Sequence, residues 1–170
     1  VSKHFGLDTS EKAIRYMAVT EKCDFILIDH ISIAVSGIES NNERKLIDIL
    51  MTRLRQLCEE LGVGLICICH LKRGDGKKSA EEGGSISLED LRGSQAIAQL
   101  SDTIIALERN QQADSDVKKN LVQIRVLKCR QTGDTGIGGK LWFNKEKNRL
   151  EVPSADLMND IESNDEVPEF

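Results

Sequence analysis

Polar and apolar positions follow more than one period along this chain, and each change of period marks an element. Residues 10–21 carry Ala13, Tyr16 and Met17 at helical spacing, which predicts a short helix. "CDFILIDH", Cys23 to His30, is a continuous apolar run closed by an acid, and its length and content predict a buried strand. "SNNE", Ser40 to Glu43, has capping-box spacing. It opens a long amphipathic helix with Leu46, Ile49, Leu50, Leu54, Leu57 and Leu61 on one face, and Gly62 stops it. "VGLICICH", Val63 to His70, repeats the buried-strand pattern and ends in a histidine.

Strand, helix and strand with apolar strands form a βαβ unit, which predicts an α/β fold with a mainly parallel sheet and flanking helices. A long polar loop, Lys72 to Ser87, follows. A helix is expected from about Leu88 to Leu100, a third strand over Asp102–Arg109 and an alternating fourth over Leu121–Arg130. "GKLWFNKEKNRLEV" reads as an edge hairpin turning near Lys147 and Asn148. Residues 153–170 are polar and acidic, the composition of a disordered tail.

Charge sharpens that division. The net charge is −5, yet residues 151–170 hold seven acids and no Lys or Arg, leaving 23 basic against 21 acidic residues in the rest, a body of +2. The acidity belongs to the tail and says nothing against a nucleic-acid partner for the body. The longest apolar run, Val63 to Cys69, is too short to cross a bilayer, and no charged-then-apolar leader opens the chain. The five cysteines contain no Cys-x-x-Cys pair, and Cys67 and Cys69 read as buried strand residues, so neither zinc nor a disulfide framework is expected and a reducing cytoplasm is the simplest setting. A start at Val1 suggests a piece of something longer.

Several motifs carry chemistry. "GDTGIGGK" imitates a phosphate loop, but Asp134 stands where the leading glycine should be, Leu141 replaces the hydroxyl residue, and a strand follows instead of a helix. "RGDGKKS" also lacks the leading glycine. "FILIDH" fits a Walker B strand, whose terminal Asp29 would hold magnesium through water; a buried strand that merely ends in Asp is the plainer reading. His70 ends the neighbouring strand, where it could report a phosphate or be a satisfied structural residue. Lys72, Arg73, Lys77 and Lys78, with interspersed glycines, suit a loop gripping a phosphodiester backbone or a solvated surface loop. Arg130, at a strand end, is either an arginine finger or a surface arginine. Trp142 and Phe143 alternate on the hairpin, and the outward ring could stack on a base.

In order, "FILIDHISIAVSG", "ICHLKR", "SLEDLRGSQAIAQLSDTIIALERNQQ" and "VLKCRQTGDTGIGGKLWFNKE" resemble the helicase domain of the bifunctional primase–helicases of T-seven-like bacteriophages, hexameric helicases of the DnaB class with a RecA-type fold, to which the mitochondrial Twinkle helicase also belongs. The resemblance covers about residues 20–152. It implies a partial RecA-like P-loop NTPase core over 1–152, in a replicative helicase that moves 5′ to 3′ on single-stranded DNA as a homo-hexameric ring in the cytoplasm of a bacterial host. Mg²⁺ would be the cofactor and ATP or dTTP the substrate. Asp29 resembles the magnesium carboxylate and His70 the phosphate sensor. Lys72, Arg73, Lys77 and Lys78 fall in the loop that holds DNA, and Arg92 and Gly93 in the next channel-facing segment. Gln99 sits in the "QLSD" motif near the nucleotide, Arg109 and Phe143 match the pair that sandwiches the base, and Arg130 resembles the arginine finger. The acidic tail ending in Phe170 resembles the segment with which such helicases dock on a replicative polymerase.

The family's Walker A loop and catalytic glutamate lie upstream of the Walker B strand, and the 170 residues contain neither. The chain alone is therefore expected to be inactive. A non-catalytic module that binds polymerase or helicase subunits, and a RecA-like recombinase, are the alternatives.

Overall fold

A computed structural model describes residues 7–35, 43–72, 80–92 and 95–163. They divide into two compact units, residues 1–72 with 88–101, and residues 73–87 with 102–170.

The first unit is the expected βαβ arrangement. Strands β1 (Phe25–Ile28) and β2 (Gly64–Cys67) pair in parallel with Ile26 opposite Leu65 and Leu27 opposite Ile66. Helices α1 (Leu7–Val19) and α2 (Glu43–Leu61) pack on each other and on these strands. The core lies between them, from Ile14, Ile26, Ile47, Leu50, Met51, Leu54 and Leu57. On α2 the buried stripe is 47, 50, 51, 54 and 57, the true i, i+3/i+4 series, while Ile49, expected on that face, points outward at 47% exposure because it lies about 200° around the helix from Ile47. Tyr16 on α1 is likewise exposed, and Ser10 and Ile14 face inward. Gly62 ends α2 at φ +68°, a left-handed conformation that glycine adopts without strain, and its N–H donates to the carbonyl of Cys58.

The strands differ from the expectation in one respect. Ile26 is buried, but Phe25, Leu27, Ile66 and Ile68 are exposed, so among the described residues the parallel pair is covered on one face only.

α1 and α2 are also clasped by charge. The Glu11 carboxylate accepts hydrogen bonds from Arg15 on its own helix and Arg53 on α2, while Arg15 makes a two-pronged contact with Glu60, both bonds at 2.7 Å. These arginines, Arg53 foremost, hold Glu11 at a pKa of about 2.

The helix expected over 88–100 is shorter. A single 3₁₀ turn spans Leu88–Asp90, and α3 runs over Gln95–Leu100, packed on α2. Between them the backbone is used otherwise: Leu71 bridges Leu91, Lys72 N–H donates to the Asp90 carbonyl, and Arg92 N–H donates to that of His70. Main-chain groups committed to a short antiparallel pairing cannot also make helical bonds.

The second unit is an antiparallel meander of β3 (Thr103–Glu108), β4 (Leu121–Cys129), β5 (Gly136–Asn144) and β6 (Arg149–Glu151), with a one-turn helix α4 (Asp116–Lys119) between β3 and β4. The α/β class holds, but the described pairing is one parallel ladder and three antiparallel ones, where a mainly parallel sheet was expected. For β4 to β6 the reason is connection length: residues 130–135 and 145–148 are links too short for the crossover that parallel neighbours need.

The hairpin turns at 145–148 as expected, with the Asn144 side-chain oxygen accepting the N–H groups of Glu146 and Lys147. A helix, α5 (Ala155–Ser163), stands where the sequence reading expects the disordered tail to begin, and Phe170 lies outside the described residues. Among the described residues no helix is long and apolar enough to cross a membrane.

Candidate nucleotide and DNA sites

The candidate side chains form two groups, one in each unit. In the first, Asp29 directly follows β1 and His70 follows β2, so both stand at the carboxyl end of the parallel pair, and both are exposed. Ligands of open α/β sheets bind outside the carboxyl ends of the strands. Main-chain bonds set the pair: Ile68 N–H donates to the Ile28 carbonyl, and Ile31 N–H donates to that of Ile68. His30, which the sequence reading passed over, stands edge-on to His70 with ring centroids 4.2 Å apart, and its Nδ1 is buried with no hydrogen-bond partner among the described residues. A histidine beside an aspartate in an apolar run gives no sign in sequence that its ring will meet another 40 residues away.

The described residues hold no group of three or more metal-binding side chains. Magnesium does not require one, since it takes one or two carboxylates and completes its shell with water and substrate phosphates. Asp29 alone fits that role.

Lys72 lies at the same end of the unit, exposed, its Nζ donating to the Glu89 carbonyl at 2.6 Å. Arg92 is exposed, with Glu43 4.0 Å away, and Gln99 is exposed on α3. Arg73, Lys77, Lys78 and Gly93 lie outside the described residues.

In the second unit Arg109 and Phe143 come together. The Arg109 guanidinium carbon sits over the Phe143 ring, 5.7 Å from its centroid. Asn120, also missed in sequence, holds both: its carbonyl accepts the Phe143 N–H at 2.8 Å, and its side-chain oxygen accepts from Arg109 at 3.0 Å. Asn120 is itself buried, its side-chain nitrogen donating to the Asp116 carbonyl. A second Arg109 bond runs to the Lys119 carbonyl at 2.6 Å. A cation facing an aromatic ring is an attractive pair, and a flat heterocycle can enter between two such faces.

Arg130 directly follows β4, exposed, its backbone N–H donating to the Asp102 carbonyl and its guanidinium 3.2 Å from the Asp102 carboxylate. The chain then turns: Gly133, at φ +78°, donates its N–H to the Cys129 carbonyl. The Thr132 hydroxyl donates to the Cys129 thiol and lowers its pKa. The other glycines of this stretch lie within β5. Ile124 pairs with Gly139 and Arg125 with Ile137, so Gly138 is the extra residue of a bulge. Lys140, across from Gln123, is an ordinary strand position, as expected of a sequence that is no phosphate loop.

Next to Arg109, Glu108 is buried yet charged. Burial raises its pKa, but hydrogen bonds from Arg125, the Ile86 N–H and Gln123 outweigh that, and the net shift is downward.

The family profile described as the DnaB-like helicase C-terminal domain matches residues 3–152, nearly all of the chain. The chain belongs to that family. It is 54% identical over 141 residues to the DNA helicase/primase of Enterobacteria phage T3, a match covering 83% of this chain and 24% of that protein. It is 28% identical over 112 residues to the "Probable plasmid replicative DNA helicase" of Chlamydia trachomatis serovar L2, covering 65% of this chain and 24% of that protein. Its fold resembles a solved structure of a DnaB-like replicative helicase described with its interactions with primase, at TM-score 0.68 and 22% identity, over 88% of this chain and 36% of that one. The chain thus spans about a quarter of the length of the curated relatives it matches.

Proposed function

We propose that this chain supplies the C-terminal part of the motor domain of a replicative DNA helicase, which uses NTP hydrolysis to move 5′ to 3′ along single-stranded DNA within a homo-hexameric ring. The observation that carries this reading is that Asp29 and His70 both stand at the carboxyl end of the parallel pair, in a chain of this family. Asp29 would hold Mg²⁺ on the nucleotide phosphates, and His70 would sense the terminal one. Arg109 and Phe143 would hold the base of ATP or dTTP between their faces. Arg130 would reach a phosphate bound by a neighbouring subunit, which its exposed position at a strand end permits. Lys72, Arg73, Lys77 and Lys78, with Arg92 and Gly93, would line the path of the DNA. The acidic tail with its terminal Phe170 would dock on a replicative polymerase, its seven acids suiting a basic groove. A bacterial cytoplasm is the setting for such work.

The test is a chimera: the phage T3 helicase/primase with its matching segment replaced by residues 3–152 of this chain. It should form rings, hydrolyse NTP faster when single-stranded DNA is added, and unwind a forked duplex. Asp29→Asn should abolish hydrolysis without preventing ring formation. A chimera that forms rings yet hydrolyses as fast with Asp29→Asn as without it would refute the reading. Strand exchange without unwinding would favour a recombinase.

A further inference from the structure

We infer that Glu108 is a positioning residue that fastens residues 81–86, which lead out of the Lys72–Ser87 loop, to the strand carrying Arg109, so that the base-binding pair and this segment move together. This rests on the reading just given, in which that loop grips DNA and Arg109 grips the base.

All the attachments lie within the second unit. One oxygen of the buried Glu108 carboxylate accepts the Ile86 N–H and the Arg125 Nε, both at 2.7 Å, and the other accepts Gln123 Nε2 at 2.6 Å. Two further contacts fall just beyond. Gln111 N–H donates to the Glu81 carbonyl at 2.9 Å. Gly83, at φ +84°, runs so close to Asn110 that an added Cβ would come within 2.9 Å of its side-chain nitrogen. The segment 81–86 is therefore bonded to residues 108 and 111, on both sides of Arg109. A base entering between Arg109 and Phe143 needs two stacking steps of about 3.4 Å, roughly 6.8 Å in all. The Arg109 guanidinium carbon lies 5.7 Å from the ring centroid, closer than that, so Arg109 or Phe143 must move to admit a base. Any part of that displacement taken up by the Arg109 backbone passes to a segment bonded on either side of it.

The chemistry is selective. All three partners of Glu108 are donors, so the site needs an acceptor-only group, which an ionised carboxylate is and an amide is not. Glu108→Gln takes away the charge facing Arg125, and its NH₂ finds an acceptor only if the Gln123 amide turns over. Pairing it with Gln123→Glu restores every bond with the charge conserved: the new amide oxygen accepts from Ile86 and Arg125, and its nitrogen donates to the new carboxylate.

In the T3 chimera, Glu108→Gln should speed hydrogen exchange at the Ile86 amide and reduce the stimulation of hydrolysis by single-stranded DNA by about tenfold, as expected for a coupling term between two sites. Hydrolysis without DNA should fall by a smaller factor than hydrolysis with it. The double variant should recover the stimulation. Unchanged stimulation in Glu108→Gln, an equal fall with and without DNA, or no recovery in the double variant each overturns the inference. Lys77→Ala with Lys78→Ala separates this from the underlying reading. If that pair leaves single-stranded DNA affinity unchanged, the reading of the loop fails and the inference with it. If affinity falls while Glu108→Gln keeps its stimulation, the inference alone fails.

Discussion

Replacing Phe143 by Ala tests the base-binding pair most directly. Stacking of a base on an aromatic ring contributes about 1–3 kcal/mol. Here the ring already faces a guanidinium 5.7 Å from its centroid, a contact worth about 1 kcal/mol for a half-buried pair, which must loosen before a base can enter. The net contribution of Phe143 to nucleotide binding is the difference, about 0–2 kcal/mol, or up to roughly thirtyfold in affinity. In the T3 chimera, Phe143→Ala should raise the KM for nucleotide by that factor and leave kcat nearly unchanged, since stacking is equally strong before and at the transition state. Phe143→Tyr keeps the face and should stay close to the parent. Ribose triphosphate without a base is the control: parent and Phe143→Ala should bind it alike. An equal loss for the base-free compound would show that Phe143 supports the site's structure rather than the base, and would refute the reasoning.

Other expectations rest on the fold and the candidate site. Leu57→Ala, at a fully buried site on α2, should cost about 2–5 kcal/mol and lower the midpoint of denaturant unfolding, whereas the same change at exposed Ile49 should cost under 1 kcal/mol. Glu11 has a folded pKa of about 2, below its ordinary value of 4.5, so its contribution is present above pH 4.5 and is lost as pH falls towards 2. A probe on α1 should therefore loosen across that window in the parent and show a flat response there in Glu11→Gln. Asn120→Ala should weaken nucleotide binding about as much as Phe143→Ala, because it releases the guanidinium of Arg109, and the two changes should not add; full additivity in a double-mutant cycle would refute the shared role.

The sequence made the first unit legible because period and punctuation agree there: the apolar runs before Asp29 and His70, the helical period between them and the stop at Gly62 all point to one βαβ unit. The second unit was less legible. β3 to β5 carry the strand pattern, but alternation does not reveal the direction of pairing, and the expected parallel sheet became a meander. The segment 88–92 carried a helix-like pattern that was overridden by main-chain bonds to residues 70–72, which no local signal announces. At the site, Asp29, His70, Arg109, Phe143 and Arg130 stood out by charge or aromaticity at strand ends. His30, Glu108 and Asn120 did not, because their importance lies in contacts across 40, 22 and 23 residues.

Two arginines of one strand show how burial sorts roles that sequence leaves equal. Arg125 on β4 and Arg130 just beyond it both face a carboxylate, at 2.7 and 3.2 Å. The Arg125–Glu108 pair is largely shielded, with side chains 23% and 8% exposed, and removing one member of such a pair strands the other's charge, so Arg125 is committed to the fold. The Arg130–Asp102 pair is 49% and 40% exposed, where an ion pair contributes about 0–1 kcal/mol. Exchanging that carboxylate for a more highly charged phosphate therefore costs little, while the backbone bond to Asp102 keeps the arginine's base in place. An exposed guanidinium on an anchored backbone is the arrangement that an arginine reaching another molecule's phosphate would use.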